Sequence, residues 1–169
     1  LAERFNFQYG DTFVVPKGFT PKVGQKIKSL QEPTKKMSKS EENSPKSYIL
    51  LQDDLNQIKN KIRSAVTDSD TSIRFDEKNK PGISNLLTIY SALTNREISD
   101  IENEYKDQTS YAGFKEDLAN IVADHIKVIQ DKYKELINSS QLDVILDNGR
   151  DKAQFIAKRK MSKVMARIG

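Results

Sequence analysis

The stretch YAGFKEDLANIVADHIKVIQDKYKELIN, residues 111–138, decides the class of the fold. Phe114, Leu118, Ile121, Val122, Ile129, Tyr133 and Leu136 recur at helical steps, the period of one helix face rather than of a strand. A helix this long with one apolar stripe needs neighbours to cover it, because packing, not propensity, supplies most helical stability. The neighbours are written on either side. Leu55, Ile58, Ile62, Ala65 and Val66 repeat the helical spacing behind Asp53, which reads as the N-cap. Ile83, Leu86, Leu87, Tyr90 and Leu93 form a second stripe entered through Pro81 and Gly82. Ile98, Ile101 and Tyr105 mark a short third helix. Downstream, residues 142–146 predict a short helix stopped near Gly149, and Ala153, Ile156, Met161, Val164 and Ile168 predict a last one. His125 falls on the Leu118, Ile121, Val122 stripe and reads as a core or boundary histidine.

Residues 1–52 have a different texture. Residues 1–9 read as the end of a helix, with Gly10 its terminator. Pro16, Gly18, Pro21 and Gly24 then break the chain. Phe13, Val14 and Val15 predict one short strand, residues 48–51 a buried one, and residues 27–30 a turn or a further extended piece. Two or three short strands make no stable sheet alone, so they are expected to belong to a larger sheet. The fold class is therefore mainly α: a helical bundle over residues 53–169, preceded at 1–52 by an α/β remnant. Leu1 is not an initiator methionine, so a portion of a longer protein is expected.

Hydrophobic residues at 36% and charged residues at 31% of 169 suit a folded, helix-rich chain. With no cysteine, disulfides and thiolate chemistry are excluded. No apolar run approaches the roughly 18–20 residues that cross a bilayer, and no basic-then-apolar leader opens the chain; a cytoplasmic location is expected. The net charge of +4 is unevenly spread. Residues 1–52 carry nine basic against five acidic side chains, residues 53–149 twelve against eighteen, and residues 150–169 seven against Asp151 alone. The basic tail is either a solvated helix face or a surface for phosphate or domain contacts.

The segment that carries chemistry is Lys35-Lys36-Met37-Ser38-Lys39-Ser40, in a polar loop between Pro33 and Pro45. It presents lysines three residues apart, interleaved with hydroxyls. Ammonium groups act as point charges on phosphate and hydroxyls donate to phosphate oxygens. Such a loop can hold the β- and γ-phosphates of ATP while charge builds on a leaving pyrophosphate. Met37 can pack against adenine or simply fill a gap.

Residues 36–40 match letter for letter the KMSKS signature of class I aminoacyl-tRNA synthetases. The surrounding Pro21-Lys22-Val23-Gly24, Ile27, Ser29-Leu30, Pro33-Thr34-Lys35 and Asn43 resemble the tryptophanyl-tRNA synthetase version of that loop. Ser64-Ala65-Val66-Thr67-Asp68-Ser69, Pro81-Gly82-Ile83-Ser84-Asn85-Leu86-Leu87, Phe114-Lys115, Asp117-Leu118-Ala119, Leu146-Asp147 and Lys152-Ala153 are similar to the same family. The resemblance runs along essentially the whole chain. It implies that residues 1–52 are the end of a Rossmann-like catalytic domain, and that residues 53–169 are the helical anticodon-binding region. The last helix would pack back on the catalytic domain. The tyrosyl enzymes commonly append an RNA-binding domain after this region, and the chain's end at Gly169 favours the tryptophanyl type.

What the resemblance implies chemically is an ATP-dependent tryptophan–tRNA ligase, working as a homodimer on L-tryptophan, ATP with Mg2+, and tRNA. By motif match, Lys36 and Lys39 stabilise the pyrophosphate, Ser38 and Ser40 assist, and Ile27 and Met37 line the adenine site. No structural metal is expected. The family's HIGH-type signature and its tryptophan-recognising residues are expected upstream of Leu1, so this chain alone is expected to be inactive. The helical region contacts the anticodon in this family. Unpaired bases are read by stacking and edge hydrogen bonds, which makes Arg74, Phe75, Lys78 and Lys80, with Lys132 and Lys134 on the long helix, candidate RNA contacts. Two other readings compete: an autonomous helical RNA-binding module without catalysis, and an adenylyltransferase using a Lys/Ser loop on ATP.

Overall fold

The computed structural model describes residues 1–21, 24, 26–40 and 44–169. Lys22, Val23 and Asn43, which carry part of the family resemblance, lie outside the described residues. Among the described residues six helices follow one another: α1 (Ala2–Tyr9), α2 (Leu55–Arg63), α3 (Pro81–Thr94), α4 (Ile98–Tyr105), α5 (Tyr111–Ile137) and α6 (Gln141–Ile168). The chain forms two compact units, one of residues 20–132 and one of residues 1–19 with 133–169.

The larger unit holds the core. Ile58 and Ile62 of α2, Ile83, Leu86 and Leu87 of α3, Ile101 of α4, and Phe114 and Leu118 of α5 are fully buried together, with Leu30 from the loop region. Each such side chain contributes about 1.5–3 kcal/mol relative to exposure. Tyr90, Tyr105 and Phe114 add an aromatic nest, with ring centroids 5.1 to 6.2 Å apart. Arg63 grips Glu116 through two parallel hydrogen bonds of 2.6 and 2.8 Å, joining α2 to α5. The Lys115 ammonium donates to the Ala65 carbonyl just past the end of α2, at 2.8 Å.

Helix starts follow local chemistry. Asp54, not Asp53, caps α2: its carboxylate accepts the amides of Asn56 and Gln57. The Asp53 carboxylate instead accepts the Leu50 amide at 2.9 Å and the Lys61 ammonium at 2.6 Å. Helix α2 stops at Arg63, so Ala65 is buried from beyond the helix and Val66 is exposed. Pro81 opens α3, and Gly82 follows because the chain passes directly over the Val66 carbonyl. A Cβ on Gly82 would lie 2.2 Å from that oxygen. Helix α3 ends on Asn95 in the left-handed region, φ 55°.

In the smaller unit the expected strand at residues 13–15 does not form, and no strand occurs among the described residues. The reason is local. Asn6 of α1 accepts the Phe13 amide at 2.9 Å and donates to the Phe13 carbonyl at 2.7 Å, while Lys160 of α6 donates to the Thr12 carbonyl. Side chains occupy the groups a neighbouring strand would need. The expected strand at residues 48–51 fails similarly. Leu50 and Asp53 close a turn on each other, and Gln130 takes the Leu51 carbonyl. The two expected C-terminal helices are one, α6, running through Gly149. Nothing lies within 4 Å of where a Gly149 Cβ would stand; an exposed helical glycine costs only about 1 kcal/mol.

Two expectations about α5 need correction. His125 is exposed, not core or boundary. The buried arc at its level turns through Leu118, Ala119, Val122, Ala123 and Ile126, leaving Ile121 half-buried at the margin. Ile129 and Tyr133 continue the predicted stripe but are exposed, at 40% and 51%. Among the described residues no helix is long and apolar enough to cross a membrane.

Candidate functional site

The KMSKS segment is the return arm of a minimal hairpin. Lys28 and Lys36 form one antiparallel bridge, framed by Ser29 N–H to the Lys35 carbonyl at 2.9 Å and Met37 N–H to the Ile27 carbonyl at 3.0 Å. The turn is closed by the buried Ser29 hydroxyl, which accepts the amides of Gln31 and Glu32. Its root is Leu30, 1% exposed, whose amide donates to the Ser47 carbonyl and whose carbonyl accepts the Val66 amide. A loop of low regularity is thus tied into the helical core at one apolar residue.

Along that arm the candidate residues divide. Lys36, Lys39 and Ser40 are exposed, and Ser38 is half-buried with its hydroxyl accepting the Ser40 amide at 3.3 Å. Two ammonium groups and a short hydroxyl-bearing turn are therefore open to solvent. Ile27 and Met37 sit lower. Their backbones pair with each other, and the half-buried Met37 side chain packs on the core.

The other candidates lie on the connection between α2 and α3. Asp76 organises its tip: it accepts the amides of Lys78 and Asn79, the Asn79 side chain at 2.8 Å and the Arg74 guanidinium at 3.1 Å. The bonds from Asn79, aided by Arg74, hold the Asp76 carboxyl down to about 2. Arg74 and Lys78 are exposed, and Phe75, 39% exposed, lines a cleft of about 480 Å³ with Lys26, Lys28, Pro81 and Thr88. Lys132 is exposed on α5, and Lys134 belongs to the other unit.

Lys80 must be removed from the RNA candidates. It is 2% exposed, and its ammonium is held inside the fold by Asp68 at 2.9 Å, Asp70 at 3.0 Å and the Tyr111 hydroxyl at 2.8 Å. Burial alone would lower its pKa, but the bonds to Tyr111, Asp68 and Asp70 outweigh it and raise it. Burial likewise opposes the Asp68 carboxylate, and hydrogen bonds from Tyr111 and Lys80 reverse that, lowering its pKa. Sequence alone could not separate Lys80 from Lys78, because both precede the same helix.

A family model described as tRNA synthetases class I (W and Y) matches residues 1–127. The chain belongs to this family. A tryptophan–tRNA ligase of Oceanobacillus iheyensis is 52% identical over all 169 residues, and one of Bacillus subtilis is 50% identical. The chain spans about half the length of these relatives, 51% of each. Among solved structures, the tryptophanyl-tRNA synthetase of Mycoplasma pneumoniae superposes with a TM-score of 0.88 at 29% identity. It covers 99% of this chain and 52% of its own. The Campylobacter jejuni tryptophanyl-tRNA synthetase complexed with ADP and tryptophan gives 0.64 at 29% identity, over 99% and 51% of the two chains.

Ser84 and Asn85 belong to the family-like string 81–87, where the sequence alone gives them no role. Both are buried, and both hold loops rather than helix neighbours: Ser84 accepts the Asp76 amide, and Asn85 binds the backbone of Lys28. The available signal was two adjacent polar residues inside the apolar run from Ile83 to Leu87. Among the described residues, no three His, Asp or Glu side chains converge as metal ligands.

Proposed function

We propose that this chain is the C-terminal half of a tryptophan–tRNA ligase, in which residues 1–52 end the catalytic domain and residues 53–169 form the anticodon-binding region. The observation that carries the proposal is the KMSKS string on an outward-facing arm, with Lys36 and Lys39 exposed above a core-rooted hairpin. In the intact ligase, a homodimer, the tryptophan carboxylate attacks the α-phosphorus of ATP. The bond to the bridging oxygen breaks, and pyrophosphate leaves with the tryptophanyl-adenylate formed. The two ammonium groups neutralise charge accumulating on the departing phosphates, where preorganised cations act most strongly. Ser38 and Ser40 add hydrogen bonds, Ile27 and Met37 bound the adenine, and Mg2+ arrives as the ATP complex. A ribose hydroxyl at the tRNA terminus then attacks the adenylate carbonyl, and AMP leaves.

Arg74, Phe75 and Lys78 offer a tip for unpaired anticodon bases: one partly exposed ring for stacking, with a cation on either side of it in the sequence. Lys132 is a further candidate contact. The ligase is cytoplasmic in this reading. In the intact enzyme, Lys36→Ala and Lys39→Ala should each lower kcat for tryptophan-dependent exchange of pyrophosphate into ATP about 10²–10³-fold, the usual cost of one transition-state donor. Unchanged kcat in both variants would remove the KMSKS assignment. The isolated chain should show no exchange, and exchange by it would refute the division of labour.

A further inference from the structure

We propose that Asn85 is a positioning residue for the KMSKS lysines, acting through the backbone of Lys28. The inference rests on the ligase reading above. In the hairpin, Ile27 and Ser29 point their backbone groups at the return arm, so the Lys28 N–H and C=O face the opposite way. A sheet would satisfy them with another strand. Here one side chain does so. The Asn85 Oδ1 accepts the Lys28 amide at 2.8 Å, and its Nδ2 donates to the Lys28 carbonyl at 3.0 Å. A carboxamide carries the same donor and acceptor as a peptide group, so Asn85 stands in for a missing strand.

The placement gives the contact its consequence. Asn85 is 5% exposed on α3, flanked by the fully buried Leu86, and α3 is buried along most of its length. Lys28 is bridged directly to Lys36, the first motif lysine. The register of Lys36 is therefore set from a rigid helix rather than from its own loop. The neighbouring Ser84 holds the Asp76 amide at 2.8 Å, so one helical step fixes both the hairpin and the Arg74–Lys78 tip. A substituent that fills the same space without hydrogen bonds leaves two backbone groups unpaired and frees the hairpin to slide.

The test uses the intact ligase with two independent lesions. Asn85→Leu removes both hydrogen bonds from the helix side. Lys28→Pro removes the amide from the hairpin side and is read against Lys28→Ala, which shares the lost ammonium. Pyrophosphate exchange should lose kcat by about tenfold or more in Asn85→Leu against wild type, and in Lys28→Pro against Lys28→Ala. Small misplacements near reacting atoms cost on that order. The KM for tryptophan should not move, since only the lysine arm is displaced. A folded variant of either kind with its reference's kcat overturns the proposal, and so does a loss matched by a rise in tryptophan KM. Should Asn85→Leu fail to fold, the Lys28 pair decides alone. A wild-type enzyme with no tryptophan-dependent exchange would overturn the ligase reading itself, a result distinguishable because the reference is then silent.

Discussion

Replacing Lys80 with methionine keeps the aliphatic stem and deletes the ammonium, which isolates the charge cluster beneath α3. The ammonium is 2% exposed and meets the Asp68 and Asp70 carboxylates, the Asp70 carbonyl and the Tyr111 hydroxyl. Its loss does not strand all four equally. The Asp70 side chain is 58% exposed and can turn to water, whereas Asp68, at 22%, and the buried Tyr111 hydroxyl cannot do so freely. Removing one partner of a buried pair costs about 3–5 kcal/mol, and the exposure of Asp70 places this case at the lower end. At about 2–4 °C per kcal/mol for a chain of this size, the Tm should fall by roughly 6–12 °C. Thermal unfolding followed by far-UV circular dichroism measures it. Lys80→Arg, which keeps the charge, should lose less. A Lys80→Met variant melting with the wild type would mean that the ammonium does not hold this cluster, and would return Lys80 to the candidate RNA contacts. The salt dependence of tRNA binding should be unaltered by Lys80→Met and reduced by Lys78→Ala.

The same cluster sets a pH window. Asp70 is held down to about 2, chiefly by the Ser72 amide and by Lys80, and Asp68 is lowered too, both from 3.8. Their contribution is complete above the unfolded value and is lost as pH falls through the folded values, so acid unfolding of the larger unit should set in between about 4 and 2. The Lys80 pKa is raised above 10.5, so its contribution is complete below that value and declines only at higher pH. A midpoint of acid unfolding above pH 5 would contradict this. Gly82→Ala forces a Cβ to within 2.2 Å of the Val66 carbonyl oxygen, a backbone atom that cannot turn aside. It should cost about 1–3 kcal/mol by overpacking, read as a lowered urea midpoint. Asp54→Ala should cost about 1 kcal/mol through the lost cap of α2. Asp53→Ala leaves that cap whole and should instead speed hydrogen exchange at the Leu50 amide; a loss of α2 capping in Asp53→Ala would reverse the assignment.

The helices of the larger unit were legible because each exposes one apolar stripe at a fixed period. Ile83, Leu86, Leu87 and Tyr90 have few alternatives to a shared core. The KMSKS arm was legible for another reason: residues 36–40 match a family signature letter for letter. The misreadings fall where side chains replace backbone partners. Phe13, Val14 and Val15 have strand composition, yet Asn6 takes both Phe13 backbone groups. Asp53 and Asp54 are equivalent as written, and only the path of residues 48–54 made one a cap and the other a brace for Lys61.

The mainly helical class, the helices of the larger unit and the position of the KMSKS string in a loop ahead of α2 follow from the linear sequence. These follow from periodicity and residue chemistry, both local properties of the chain. Only the three-dimensional arrangement shows that Lys80 is buried while Lys78 is exposed, that α6 runs unbroken through Gly149, and that Asn85, 57 residues from Lys28, holds the hairpin. Each depends on what lies opposite a side chain in space, and a one-dimensional pattern carries no record of that.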